Sequence, residues 1–177
     1  MPKLMSSPNL PCSEPDHARR NGIAALRTLI EVLACIGWEP EVMEEEGLMR
    51  IDFEGDHLPI SDAYVAIYVD LERFVFYLNF HDRVALSYRS EMMEFVTRAN
   101  FALVTGNFEM DIEEGIVRFK SSIDFTGVEL SERLIRNVIS SARDAVEQYA
   151  DVAVKVMCGE MGALDAIHDS EVDPGSP

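Results

Sequence analysis

The side chains best suited to chemistry are two histidines with carboxylates beside them: His57 with Asp56 and Asp62 in the stretch DHLPISD, and His81 with Asp82 further along. Imidazole nitrogen and carboxylate oxygen together make a donor set for a divalent metal. They would do so only if the intervening strands brought the two groups together, and no ligand spacing recurs. A proline between polar flanks is loop composition, so DHLPISD reads as an ordinary loop and no metal site is expected. The sequence has no phosphate-cradling glycine loop with lysine, no histidine pair around a glutamate, and no glycine–serine–glycine nucleophile turn. Adjacent carboxylates carry little information in a chain with 32 aspartates and glutamates. They gather at turns, where water surrounds them, whereas catalytic carboxylates need a water-poor pocket. The chain is therefore expected to be a non-enzyme without catalytic residues or cofactors.

The elements that carry these residues fit one domain. With 177 residues, 47% of them hydrophobic, the chain can bury a core without disulfide staples. Fifteen lysines and arginines against 32 acids leave a formal charge of −17. Such a surface repels phosphate backbones, so no nucleic acid partner is expected. Three cysteines, Cys12, Cys35 and Cys158, share no short spacing and suggest neither a disulfide framework nor zinc. Cys35, in an apolar helical run, reads as a core residue. No stretch reaches the roughly 18 apolar residues of a membrane helix, and no signal-peptide run opens the chain. A cytoplasmic protein with no membrane association is the expectation.

Prolines and serines mark residues 1–17 as a disordered leader. Ile23, Leu26, Leu29, Ile30, Leu33 and Ile36 recur at helical spacing up to Gly37, which predicts a first helix over 18–36. A short hairpin follows around the acidic tip Glu44, Glu45, Glu46 and Gly47, with Arg50, Asp52 and Glu54 outward. In the central helix Met92, Val96, Ala99 and Leu103 share a face, Ser90 is the expected N-cap and Gly106 the left-handed stop. Met92, Met93 and Met110 read as core filling, and Asn100 as a residue that must hydrogen-bond nearby backbone if buried. Phe108, Met110 and Ile112, then Val117, Phe119, Ile123 and Phe125, alternate around Glu113, Glu114 and Gly115 as a third hairpin. Ser131 caps the last long helix, Leu130 staples onto Ile135, and Leu134, Val138, Ala142, Ala145, Tyr149, Val152 and Val156 supply its stripe up to Gly159. Residues 162–167 offer a short extra helix. The folded domain is expected over 18–168, with a disordered acidic tail at 169–177.

The most apolar stretch, residues 63–80, is a second hairpin around a polar turn at 70–73. Simple alternation groups Val65, Ile67 and Val69 with Val75 and Tyr77 on one face. The other face receives Tyr64, Ala66 and Tyr68 with Phe74, Phe76, Leu78 and Phe80. Both faces are apolar, yet the helices can cover only one side of the sheet. An apolar second face implies a partner, so Tyr64, Tyr68, Phe74, Phe76 and Leu78 form the candidate interface. The architecture is α+β: helix, two hairpins, helix, hairpin, helix, with an antiparallel sheet and helices packed on one face.

The run TRANFALVTGNFEMDIEEGIVRFKSSIDF, and the long helix ending in MCGEMGALDAI, carry a resemblance as well. Through Asn100, the group Gly106, Asn107 and Phe108, and the acidic turn, the chain resembles the YbjN family of bacterial proteins, sometimes labelled sensory transduction regulators. The likeness extends over 18–167, more loosely in the first half, and leaves the C-terminal tail outside it. It implies a fold like that of the class I type III secretion chaperones, small acidic dimers that hold client polypeptides, and it implies no catalytic residues. The expected function is a chaperone-like or adaptor-like module that forms a homodimer and binds a protein or peptide client. The alternative is a regulator that senses a small ligand held between sheet and helices.

Overall fold

In a computed structural model, residues 15–43, 47–53 and 58–171 are described. Among them the elements run α1 (Pro15–Cys35), β1 (Glu41–Val42), β2 (Leu48–Asp52), β3 (Ile60–Tyr68), β4 (Arg73–Phe80), α2 (Arg89–Ala102), β5 (Asn107–Met110), β6 (Val117–Asp124), α3 (Glu132–Met157) and α4 (Ala163–Glu171). The strands form one antiparallel sheet in the order β1-β2-β3-β4-β6-β5. The α+β architecture and the order of helices and hairpins are as expected. Among the described residues no helix is long and apolar enough to cross a membrane.

Alternation sorts the sheet into two unlike faces. Met49, Ile51, Ala63, Val65, Ile67, Phe74, Phe76, Leu78, Phe108, Val117 and Phe119 point to the helical side and are buried. Against them lies the α3 stripe of Ile135, Val138, Ala142, Val146, Tyr149, Ala153 and Val156, with Leu29, Val32 and Leu33 of α1 and Met92, Phe95 and Ala99 of α2 in the same core. Phe108 sits at the middle of an aromatic group, its ring centroid 5.0 Å from Phe119 and 5.7 Å from Tyr149, both edge-on. Edge-to-face contacts of this kind add to the area they bury. Trp38 stacks on Phe76 at 6.2 Å and closes the core beside α1.

Where the chain departs from the sequence expectation, the cause is local. Helix α1 starts at Pro15, inside the expected leader, because proline suits a first helical turn. Helix α4 runs to Glu171, past the expected tail boundary; residues 1–14, with Cys12, and 172–177 lie outside the described part. Cys35 is exposed rather than core, since it ends α1 and falls off the face that buries Leu29, Val32 and Leu33. Ser90 does not cap α2. A 3-10 turn over Leu86–Tyr88 leads straight into the helix, and Tyr88 takes the N-cap position. Gly106 does not stop α2 either, which ends at Ala102 with Leu103 extended. Its φ of +72° instead turns the chain into β5, and a Cβ there would lie 2.4 Å from Cζ of Phe119. Leu134 stands 39% exposed, off the buried stripe that starts one residue later at Ile135. Ser131 does cap α3, its hydroxyl accepting from the Leu134 N–H at 3.4 Å.

A buried acid ties α1 to the sheet. Glu72, 1% exposed, has a left-handed φ of +53° in the β3–β4 connection. Its Oε1 accepts from Asn21 Nδ2 at 2.6 Å and from the Gly127 N–H at 3.3 Å. The carboxylate thus joins α1, the hairpin turn and the loop after β6.

Candidate functional site

The five residues of the expected interface do not share a face. Tyr68 pairs with Arg73 across a four-residue connection, so Tyr64 lies opposite Tyr77, Val65 opposite Phe76, Ala63 opposite Leu78 and Ile67 opposite Phe74. An even-numbered connection puts even residues of β3 beside odd residues of β4, and paired residues project to the same side. Phe74, Phe76 and Leu78 therefore join Val65 and Ile67 in the core at 0%, 0% and 2% exposure. Tyr64 and Tyr68 stay on the other, open face, with Tyr77 as their neighbour.

That open face is amphipathic rather than apolar. Tyr64, Tyr68, Tyr77 and Leu48 line a shallow depression of about 640 Å³, with Arg118, Arg83, Asn79 and Asp62 around it. The Arg118 guanidinium lies 4.3 Å from the centroid of the Tyr77 ring, a cation–π contact. Cations on this face pair across strands: Arg50 with Asp62 at 3.0 Å, Arg73 with Asp124 at 2.7 Å, and Arg118 with Glu109 at 2.7 Å. A near-neutral aromatic surface results on a strongly acidic chain, and it suits contact with polypeptide better than with a highly charged ligand.

Burial of Glu109 acts to raise its carboxyl, but hydrogen bonds and charge from Arg118 and Lys120 outweigh it and hold the group below the ordinary glutamate value. A lowered carboxyl contributes stability that is complete above the ordinary value and is lost as the pH falls through the lowered one. The stability difference between wild type and Glu109→Gln is therefore expected to shrink between about pH 7 and pH 3. Urea midpoints at the two pH values measure it, and a difference independent of pH would show that the ion pair contributes nothing.

The residues weighed as metal donors are differently engaged. Asp62 accepts from Arg50 and, at 2.6 Å, from Asn79 Nδ2. His81 Nδ1 lies 3.4 Å from Asp82 on the exposed end of β4. Asp56 and His57 fall outside the described residues. Among the described residues no three histidine, cysteine or acidic side chains gather as a metal site.

The most exposed apolar surface is elsewhere. Phe101, at the end of α2, is 95% exposed, and Val104 just beyond it is 97% exposed. Phe101 stands at the rim of an open groove of about 710 Å³, with Met93, Thr97 and Ala102 of α2 on one side and Ile167 of α4 on the other. Helix α4 is held against α2 by Glu91, whose Oε1 accepts from the Ala163 N–H at 2.6 Å. Sequence reasoning missed this surface, although its signal was present. Phe101 follows Ala99 by two positions and so points away from the buried face of α2.

Comparison with known proteins places this geometry. The fold is similar to the crystal structure of YbjN from E. coli, with a TM-score of 0.54 and 14% identity over 69% of this chain and 86% of that one. It is similar also to a chain of the HopA1–SchA chaperone–effector complex, with a TM-score of 0.52 and 10% identity over 75% of this chain and 97% of that one. At such identities the likeness is one of fold. No curated protein sequence matches. Family membership rests on sequence: residues 25–154 match the YbjN family, described as "Putative bacterial sensory transduction regulator", and the chain belongs to that family.

Proposed function

We propose that the protein is a non-enzymatic protein-binding module, chaperone-like or adaptor-like, that forms a homodimer and holds a protein or peptide partner. One observation carries the reading: a protruding aromatic knob, Phe101, stands beside an apolar groove on the same surface. A knob and a hole on one patch are self-complementary under a two-fold axis, so each copy can fill the groove of the other. Each ring removed from water stabilises the pair by roughly 1.5–3 kcal/mol before the cost of association. The open tyrosine face remains free in such a dimer. It is the surface for a partner, with Tyr64 and Tyr68 retained from the expected interface and Tyr77 added. A chaperone–effector complex contains a chain of this fold, which supports the assignment to protein binding.

Native mass spectrometry tests the dimer. Wild type is expected at twice 19.9 kDa and Phe101→Asp at 19.9 kDa, with unchanged far-UV dichroism because the side chain makes no core contact. The substitution is expected to weaken association at least about a hundredfold, since both rings leave the interface together. A monomeric wild type at micromolar concentration would overturn the homodimer, as would a Phe101→Asp variant that dimerises normally.

A further inference from the structure

We infer that the outer edge of β6, beyond the first residue of β5, is a slot for one extended polypeptide segment of a partner protein, which adds to the sheet as a short strand beside Ser122. The inference rests on the protein-binding reading above and names where on the sheet such a partner is held.

The argument starts from backbone direction. Strand β5 begins at Asn107, opposite Lys120, whereas β6 continues past that pair to Asp124. Both polar groups of Phe108 turn away from β6, because its N–H donates to Asn100 Oδ1 and its carbonyl accepts from Asn100 Nδ2. Phe108 and Phe119 are thus a non-hydrogen-bonded pair, and antiparallel pairs alternate. Even-numbered residues of β6 then direct their N–H and carbonyl toward β5, and odd-numbered residues toward β4. Two bonds at the strand ends agree: the Asp111 N–H donates to the Ile116 carbonyl, and the Phe125 N–H donates to the Glu72 carbonyl. Ser122 is even and exposed; Val75 of β4 pairs with it on the inner side, and among the described residues no strand pairs with it on the outer side.

Around this open edge the surface has the shape of a strand site. A cavity of about 320 Å³ separates it from α3, with Gly106, Ile123, Leu134, Asn137, Val138 and Ser141 on its walls. Side chains of an added strand would alternate, one toward the tyrosine face and the next toward Leu134, which is 39% exposed. Among the described residues, other edge positions are guarded. Asn100 occupies Phe108 on β5, and at the far margin β1 is two residues long. Unpaired edges recruit extended chains by main-chain hydrogen bonds, with alternate side chains setting specificity. The fitting partner is an extended segment that alternates apolar and neutral polar residues.

Ser122→Pro tests this directly. Proline removes the N–H and fills the edge, and it is tolerated where the N–H has no ladder partner, so the variant is expected to fold as wild type does. Leu134→Asp alters the apolar wall without touching the edge backbone. A displayed library of random octapeptides is selected on the full chain, and the enriched peptides are measured on each variant. Enriched sequences are expected to alternate, to lose at least tenfold affinity on Ser122→Pro and on Leu134→Asp, and to keep it on Phe101→Asp. Peptides that bind Ser122→Pro as tightly as wild type would overturn the slot, as would a selection that enriches nothing. Peptides sensitive to Tyr68→Asp alone would overturn the slot while leaving the protein-binding reading intact.

Discussion

Replacing Asn100 by leucine is expected to remove about 2–4 kcal/mol of folding stability, seen as a lower urea midpoint with an unchanged slope. The amide of Asn100 takes the place of a neighbouring strand. Its Oδ1 accepts from the Phe108 N–H at 2.7 Å and its Nδ2 donates to the Phe108 carbonyl at 2.9 Å. Leucine fills similar volume but leaves the Phe108 N–H without its partner, at roughly 1–3 kcal/mol, and the carbonyl with only the longer bond from Asn107 Nδ2 at 3.3 Å, a further ~1 kcal/mol. They flank the side chain at the middle of the aromatic core, so a shift of β5 would also loosen the contacts of Phe108 with Phe119 and Tyr149. The bared edge is expected to promote concentration-dependent association of strands as well. A loss under about 0.5 kcal/mol would show that water replaces the amide without penalty.

The second expectation separates two residues that simple alternation had grouped together. Phe76→Asp is expected to abolish folding, whereas Tyr68→Asp leaves the fold intact. Phe76 is fully buried and stacks on Trp38. Losing a buried ring costs about 3–5 kcal/mol, and a carboxylate without a partner in its place adds several more. The sum rivals the roughly 5–15 kcal/mol that stabilises a domain. Tyr68 is 47% exposed on the open face, where a substitution changes stability by about 0.5 kcal/mol. Thermal melts by circular dichroism of the two variants decide the matter. A cooperative, native-like transition in Phe76→Asp would mean that the strand register is not the one described.

Much of the fold could be read from local pattern. The helical spacing of α1 and α3, the Ser131 cap, the stop at Gly159 and the turn at Glu113, Glu114 and Gly115 each depend on residues within a few positions of one another. Propensity and periodicity act at that range. Of the stripe read for α2, Met92 and Ala99 are buried, whereas Phe95 takes the place of Val96 and Leu103 lies past the helix end; Asn100 was read correctly as bonded to nearby backbone because a half-buried amide has few other choices. Family membership followed from a contiguous run of residues.

The interface could not be read in this way. Whether Tyr64 shares a face with Phe76 or with Tyr77 depends on the parity of one connection, and a single residue more or fewer there exchanges the faces of the hairpin. That parity is set by the 3-10 turn over Val69–Leu71 and the left-handed Glu72, which is held by Asn21 and Gly127 from distant parts of the chain. The exposure of Phe101 depends equally on which side of α2 meets the sheet, and the open edge at Ser122 depends on where β5 begins. Periodicity shows that a strand or helix has two sides, but a side becomes core or surface only through what packs against it, and those neighbours come from remote sequence.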